Sequence, residues 1–105
     1  MNAAAFYSTG SWLPFSGQEE PFLEAWKSFA AWAAALPGAA GEALLVRDLR
    51  DPERFVSLMP WESMEAIRGW KTHPEFKSRM AQVQKFVDKF APTETEVVAR
   101  VTAAS

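Results

Sequence analysis

The chain contains no cysteine, one histidine, one tyrosine and five glycines in 105 residues. Without cysteine there is no disulfide, no thiolate nucleophile and no thiolate ligand for a metal. One histidine cannot build a histidine-rich centre, and the Asp and Glu residues show no ligand spacing with it, so no metal site is expected. There is no glycine-rich loop to cradle a phosphate. Eleven basic residues against thirteen acidic ones leave a net charge of −2. That is no electrostatic footprint for nucleic acid or an anionic membrane. No apolar run reaches the roughly 18 residues that span a bilayer. The opening "MNAAAFYSTGSW" lacks the basic and apolar regions of a signal peptide. These absences predict a cytoplasmic protein.

What the chain does have is apolar bulk. Residues are 49% hydrophobic and 13% aromatic, with five tryptophans and eight phenylalanines. That supports a packed core and excludes disorder. The length fits a single domain over residues 1–105. A domain this small buries only about 60–70% of its unfolded surface, so it gains from a second copy.

The segment 6–13, "FYSTGSWL", reads as a first strand. Ser16 and Glu19 have the spacing of a capping box before a helix over Glu19–Leu36. In that helix Phe22, Ala25, Trp26, Phe29, Ala30 and Ala33 recur at three-and-four spacing. Pro37-Gly38 ends it. Leu44–Val46 and Phe55–Met59 flank an Asp51-Pro52 turn, which predicts a β-hairpin closed by Pro60. Trp61 leads into a short helix carrying Met64 and Ile67. Thr72 and Glu75 form a second capping box, before a last helix with Phe76, Met80, Val83, Val87 and Phe90 on one stripe. Pro92 ends that helix, and "TETEVVARV" predicts a final strand. The order β-α-β-β-α-α-β is a ferredoxin-like α+β plan, an antiparallel sheet with helices on one face. The bare sheet face predicts a homodimer.

The stretch "PGAAGEALLVRDLRDPERFVSLMPWESMEAIRGWKTHPEF" resembles the antibiotic biosynthesis monooxygenase family, among the dimeric α/β barrels. The pattern comprises Pro37-Gly38, the hairpin at Asp51-Pro52, Trp61-Glu62-Ser63, Ala66 on a short helix, Trp70 and Phe76; it extends over about residues 6–101. The resemblance implies a pocket between sheet and helices, a dimer, and oxidation of an aromatic, phenolic or quinol substrate by O₂ with no cofactor. Other members degrade haem, using a first-strand asparagine, a short-helix tryptophan and a last-helix histidine. Trp70 matches the tryptophan, but Gly10 and Met80 fall at the other two positions. A thioether cannot replace a proximal imidazole without changing the iron's electronics. Haem breakdown is therefore not expected.

Several residues are candidates for a site. His73, placed just after the Thr72 cap, is an imidazole suited to take a proton from a phenol or hydroquinone; the bland alternative is an exposed helix-start residue. Trp61 and Trp70 stand nine residues apart, about two and a half helical turns. On one continuous helix they point to opposite sides. Trp70 is a catalytic and substrate-binding candidate as clamp or oxygen-site wall, with Trp61 and Phe76 as further substrate-binding walls. Arg47 can orient an enolate or phenolate oxygen. Equally, Arg47 and Arg100 can pair with Glu42, Glu94 or Glu96 across strands. Tyr7, with Ser8 or Thr9, can hydrogen-bond a substrate oxygen. Two functions stay open: a cofactor-independent oxygenase, and a non-catalytic dimeric ligand-binding or stress-related module on the same fold. A closed pocket with converging polar groups favours the first, and a cavity filled by core side chains favours the second.

Overall fold

The computed structural model of the chain describes residues 3–104. The elements are β1 (Phe6–Pro14), α1 (Glu19–Ala34), β2 (Leu44–Arg47), β3 (Phe55–Trp61), α2 (Met64–Lys71), α3 (Phe76–Gln84) and β4 (Val87–Glu96). The strands form one antiparallel sheet in the order β2-β3-β1-β4. This is the expected ferredoxin-like α+β fold. No helix among the described residues is long and apolar enough to cross a membrane.

Strand alternation sorts the sheet into two faces. Ser8, Gly10 and Trp12 of β1 and Phe55, Ser57, Met59 and Trp61 of β3 are buried on the helix side. Tyr7, Thr9, Ser11, Val56 and Leu58 project to the other side and stay partly open. The core joins the inner face to the stripe Phe22, Trp26, Phe29, Ala30 and Ala33 of α1. Phe22 is fully buried, and burying such a side chain stabilises the fold by roughly 1.5–3 kcal/mol.

Several local expectations are overruled. Ser16 does not cap α1. It sits in a turn closed by Gln18 N–H to Phe15 C=O, with Gly17 at φ +79°, and the helix starts after Gln18 without a side-chain cap. Pro21 lies in the first turn, where its missing N–H costs nothing. Pro60 does not close β3; it pairs with Tyr7 inside that strand, which runs on to Trp61, and its carbonyl accepts from Ala40 N–H ahead of the start of β2. A proline is tolerated at such a place because the ladder has stopped on that side.

Thr72 closes α2 rather than opening α3. Its Oγ1 donates to Arg68 C=O, and α3 begins after Glu75. His73 precedes Pro74, which disfavours helical backbone there. The larger correction concerns Val87 and Phe90. They belong to β4, which pairs with β1 from Phe6↔Glu96 to Pro14↔Val87. That long-range ladder overrides a helical spacing that runs past Gln84 by coincidence. Pro92 sits inside this strand, which is an edge strand. The strand ends at Glu96, so Arg100 lies beyond it, and its guanidinium donates to Ala4 C=O instead of meeting a glutamate.

Candidate active site

Trp61 is the last residue of β3, not part of a helix with Trp70. The two indoles therefore do not diverge. They stack with centroids 5.1 Å apart and planes 29° from parallel. Phe76, at the start of α3, meets Trp70 edge-on at 5.1 Å, and Phe29 of α1 approaches both rings. Each such pair is worth about 0.5–1.5 kcal/mol beyond area burial. The sequence-predicted walls Trp61, Trp70 and Phe76 thus form one cluster.

The cluster has an unusual polar debt. Trp61 and Trp70 are only 1% and 4% exposed. Their Nε1–H groups, with that of Trp26, find no hydrogen-bond acceptor among the described residues. A buried unpaired donor costs about 1–3 kcal/mol. The fourth buried indole, Trp12, is satisfied by Ser57 Oγ at 2.9 Å.

Trp70 also forms the wall of a surface groove of about 460 Å³, together with Leu36, Gly38, Ala66, Gly69 and His73. Gly38 lets the α1–β2 connection approach α2, since its φ is +88° and a Cβ there would lie 2.3 Å from Ala66 Cβ. Its carbonyl accepts Glu62 N–H at 2.8 Å, which pins the chain just ahead of α2. Ser63 caps α2 by accepting Ala66 N–H.

His73 occupies the turn between α2 and α3, on the rim of this groove and of a second one that contains Phe76 and Met80. Its ring meets Trp32 edge-on at 5.2 Å. Its Nδ1 accepts the backbone N–H of Glu75 at 3.0 Å. The accepting nitrogen carries no proton, which leaves the ring N–H on Nε2.

The other candidates lie elsewhere. Arg47 faces the helix side of β2, pairs with Glu19 at the start of α1, donates to Pro52 C=O at 2.6 Å and covers the Phe55 ring at 4.7 Å. Its partner is neither Glu42, Glu94 nor Glu96. The hydrogen bond to Arg47 holds the Glu19 carboxyl below its usual range and raises the guanidinium. Arg47 pairs with Phe55, six residues along β3 from Trp61, about 20 Å at strand rise. It does not join the groove. Tyr7 faces the opposite side of the sheet from Trp61. Among the described residues no three His, Cys, Asp or Glu side chains gather as a metal site.

Sequence reasoning passed over Trp32, which lies off the buried stripe yet contacts both His73 and the Arg79 guanidinium.

Gly10 and Met80 can now be placed. A Cβ at Gly10 would lie 2.9 Å from Phe90 Cε1 and from Ser57 Oγ. The Trp12–Phe90 stack, at 4.0 Å, fills the space over it. Haemin with a reductant is therefore expected to show no decay of the Soret band and no bilin-like product. Clear turnover would overturn the placement of Gly10 and Met80.

No curated protein sequence matches the chain significantly. Solved structures do match. SnoaB, a cofactor-independent oxygenase from Streptomyces nogalater, superposes with a TM-score of 0.83 at 16% identity, over 96% of this chain and 100% of that one. A conserved protein from Methanosarcina mazei Go1 gives 0.77 at 15% identity, over 89% and 92%. At such identities the likeness is one of fold. The sequence model described as antibiotic biosynthesis monooxygenase matches residues 9–82. That span includes most of β1, the hairpin, the Trp61–Trp70 pair and His73, and the chain belongs to the antibiotic biosynthesis monooxygenase family.

Proposed function

We propose that this protein is a cofactor-independent monooxygenase-like enzyme that takes a phenol or quinol into the groove walled by Trp70. The observation that carries this reading is the stacked Trp61–Trp70 pair, buried yet with both N–H donors unpartnered, behind that groove. An aromatic ligand stacks on such a wall. Its oxygen, as an anion, accepts from nearby donors, and Nε2–H of His73 on the rim is one. A substrate hydroxyl that has given its proton to bulk water leaves an electron-rich anion, which itself supplies the electron to O₂, and the protein contributes position and desolvation. Titration of labelled protein with 1-naphthol is expected to shift the amide signals of Ala66, Gly69 and His73. Shifts confined to other surfaces would remove the groove from consideration.

The active form is a homodimer. Leu44, Val46, Val56, Leu58 and Tyr7 share the sheet face away from the helices, and Leu44 and Val46 are more than two-fifths exposed. A stable interface needs about 800 Å² from each partner, and this face is the one that carries exposed apolar side chains for it. Light scattering should give twice the 11.7 kDa chain mass. A monomer at micromolar concentration would exclude the dimer.

One observation favours the second reading, a dimeric binding module without turnover. The helix–sheet interior over Gly10 is filled by Trp12, Ser57 and Phe90. Under that reading naphthols bind and oxygen uptake stays at the buffer rate.

A further inference from the structure

A second groove, of about 600 Å³, shares His73 with the Trp70 groove but follows α3. Phe76 and Met80, both half-buried, line it together with the exposed Ala81, and Lys71 and Lys77 stand beside them. Phe76, Lys77, Met80, Ala81 and Gln84 recur at three-and-four spacing, so they form one face of the helix. From Phe76 to Gln84 that face is about 12 Å long at the helical rise. Lys77 is the second residue of α3, and Lys71 ends α2 just before it. The basic end of the track is therefore the start of α3, and the amide of Gln84 marks its other end.

Charge separates the two grooves. Apart from His73, the Trp70 groove has the acidic Glu65 as its charged residue. The α3 groove has two lysines and no acidic side chain among its lining residues. Lys71 is paired with Glu94 of β4, which offsets its charge. Lys77 is exposed and makes no ion pair among the described residues. A free ammonium beside open apolar surface fits a ligand with one anionic end and an apolar body. The body is a flexible chain rather than a flat ring. Phe76 already packs against Trp70 and Phe29, whereas Met80 is unbranched and adapts its shape to what it meets. The methylene stems of the lysines extend the same apolar wall.

We infer that this groove binds a free medium-chain carboxylate, its head at Lys77 and its chain along Phe76, Met80 and Ala81. The inference does not rest on the oxygenase reading, because none of these four residues lines the Trp70 groove.

Octanoate is the probe, with 1-octanol as its neutral counterpart and acetate as the head alone. Titrating labelled protein with octanoate is expected to give saturable shifts at the Lys77 and Ala81 amides and the Met80 methyl. Ala66 and Gly69, in the other groove, should stay unmoved. 1-Octanol and acetate should each bind severalfold more weakly. Lys77→Gln should weaken octanoate severalfold while leaving 1-octanol affinity and the melting temperature unchanged, since no ion pair is lost with it. Ala81→Glu, at an exposed helical position, puts a like charge on the track and should abolish octanoate binding in a folded protein. Absence of saturable shifts, equal affinity for octanoate and 1-octanol, or undiminished affinity in Lys77→Gln overturns the site. So does adsorption to phosphatidylglycerol vesicles with no response to octanoate, which would make the lysines a membrane contact. Octanoate bound with no naphthol in the Trp70 groove keeps this site and removes that one, and the opposite result does the reverse.

Discussion

Gly38→Ala is expected to lower the melting temperature by roughly 10–25 °C, because about 3 kcal/mol is lost and a domain of this size shifts about 4–8 °C per kcal/mol. Two penalties coincide at this residue. Its φ of +88° is strained for any side chain, by about 1–3 kcal/mol. The new methyl would also lie 2.3 Å from Ala66 Cβ, and relieving such overpacking costs a further 1–3 kcal/mol or so. The two terms separate experimentally. Ala66→Gly alone costs about 1 kcal/mol of helix propensity. Combined with Gly38→Ala it removes the clash and leaves the backbone strain, so the pair should show a favourable coupling of about 1–2 kcal/mol. Thermal melts of the four proteins measure it. Strict additivity would mean that the Gly38–Ala66 approach is not what fixes this wall of the groove.

Trp70→Ala should be the most damaging change in the site, costing about 3–5 kcal/mol in a fold whose total stability is of the order of 5–15 kcal/mol. The ring touches Trp61, Phe29 and Phe76 at once, so nothing nearby can close over the gap. Trp70→Phe is the informative variant. It leaves a smaller void, about 1–3 kcal/mol, partly offset because an unpaired buried donor goes with the indole. The same reasoning applies to Trp61→Phe, which makes it the control. Melting temperatures of the two phenylalanine variants should fall comparably. Naphthol affinity should drop only for Trp70→Phe, since Trp61 does not line the groove. Loss of stability with unchanged affinity for every ligand that binds would make Trp70 a core residue and nothing more.

The architecture was legible because its signals are local and redundant. The stripe from Phe22 to Ala33, the hairpin around Asp51-Pro52 and the Pro37-Gly38 stop each carry a pattern that one stretch of chain decides alone. The errors fall where two elements compete for the same residues. Val87 and Phe90 continue the spacing of α3, and only pairing with β1 reveals them as strand. Thr72 and Glu75 have capping-box spacing, yet Thr72 bonds backward to Arg68. The neighbourhood of the candidate residues was legible in part, but its geometry was not. Trp61, Trp70, Phe76 and His73 do lie in one region. Whether the two indoles diverge or stack depends on Trp61 being the end of a strand, which spacing along a helix cannot show. Arg47 was drawn toward the site by its charge, and its partner Glu19 lies 28 residues away in sequence.

Oxygen uptake by chelator-treated protein, measured against a panel of naphthols, hydroquinones and anthrones, tests the oxygenase reading most directly. At least one compound should be consumed faster than in buffer, with oxygen uptake matching its loss, and Trp70→Phe should slow that uptake while remaining folded. Uptake that never exceeds the buffer rate for any compound, in a protein that binds naphthol in the Trp70 groove, would contradict it and leave a binding module.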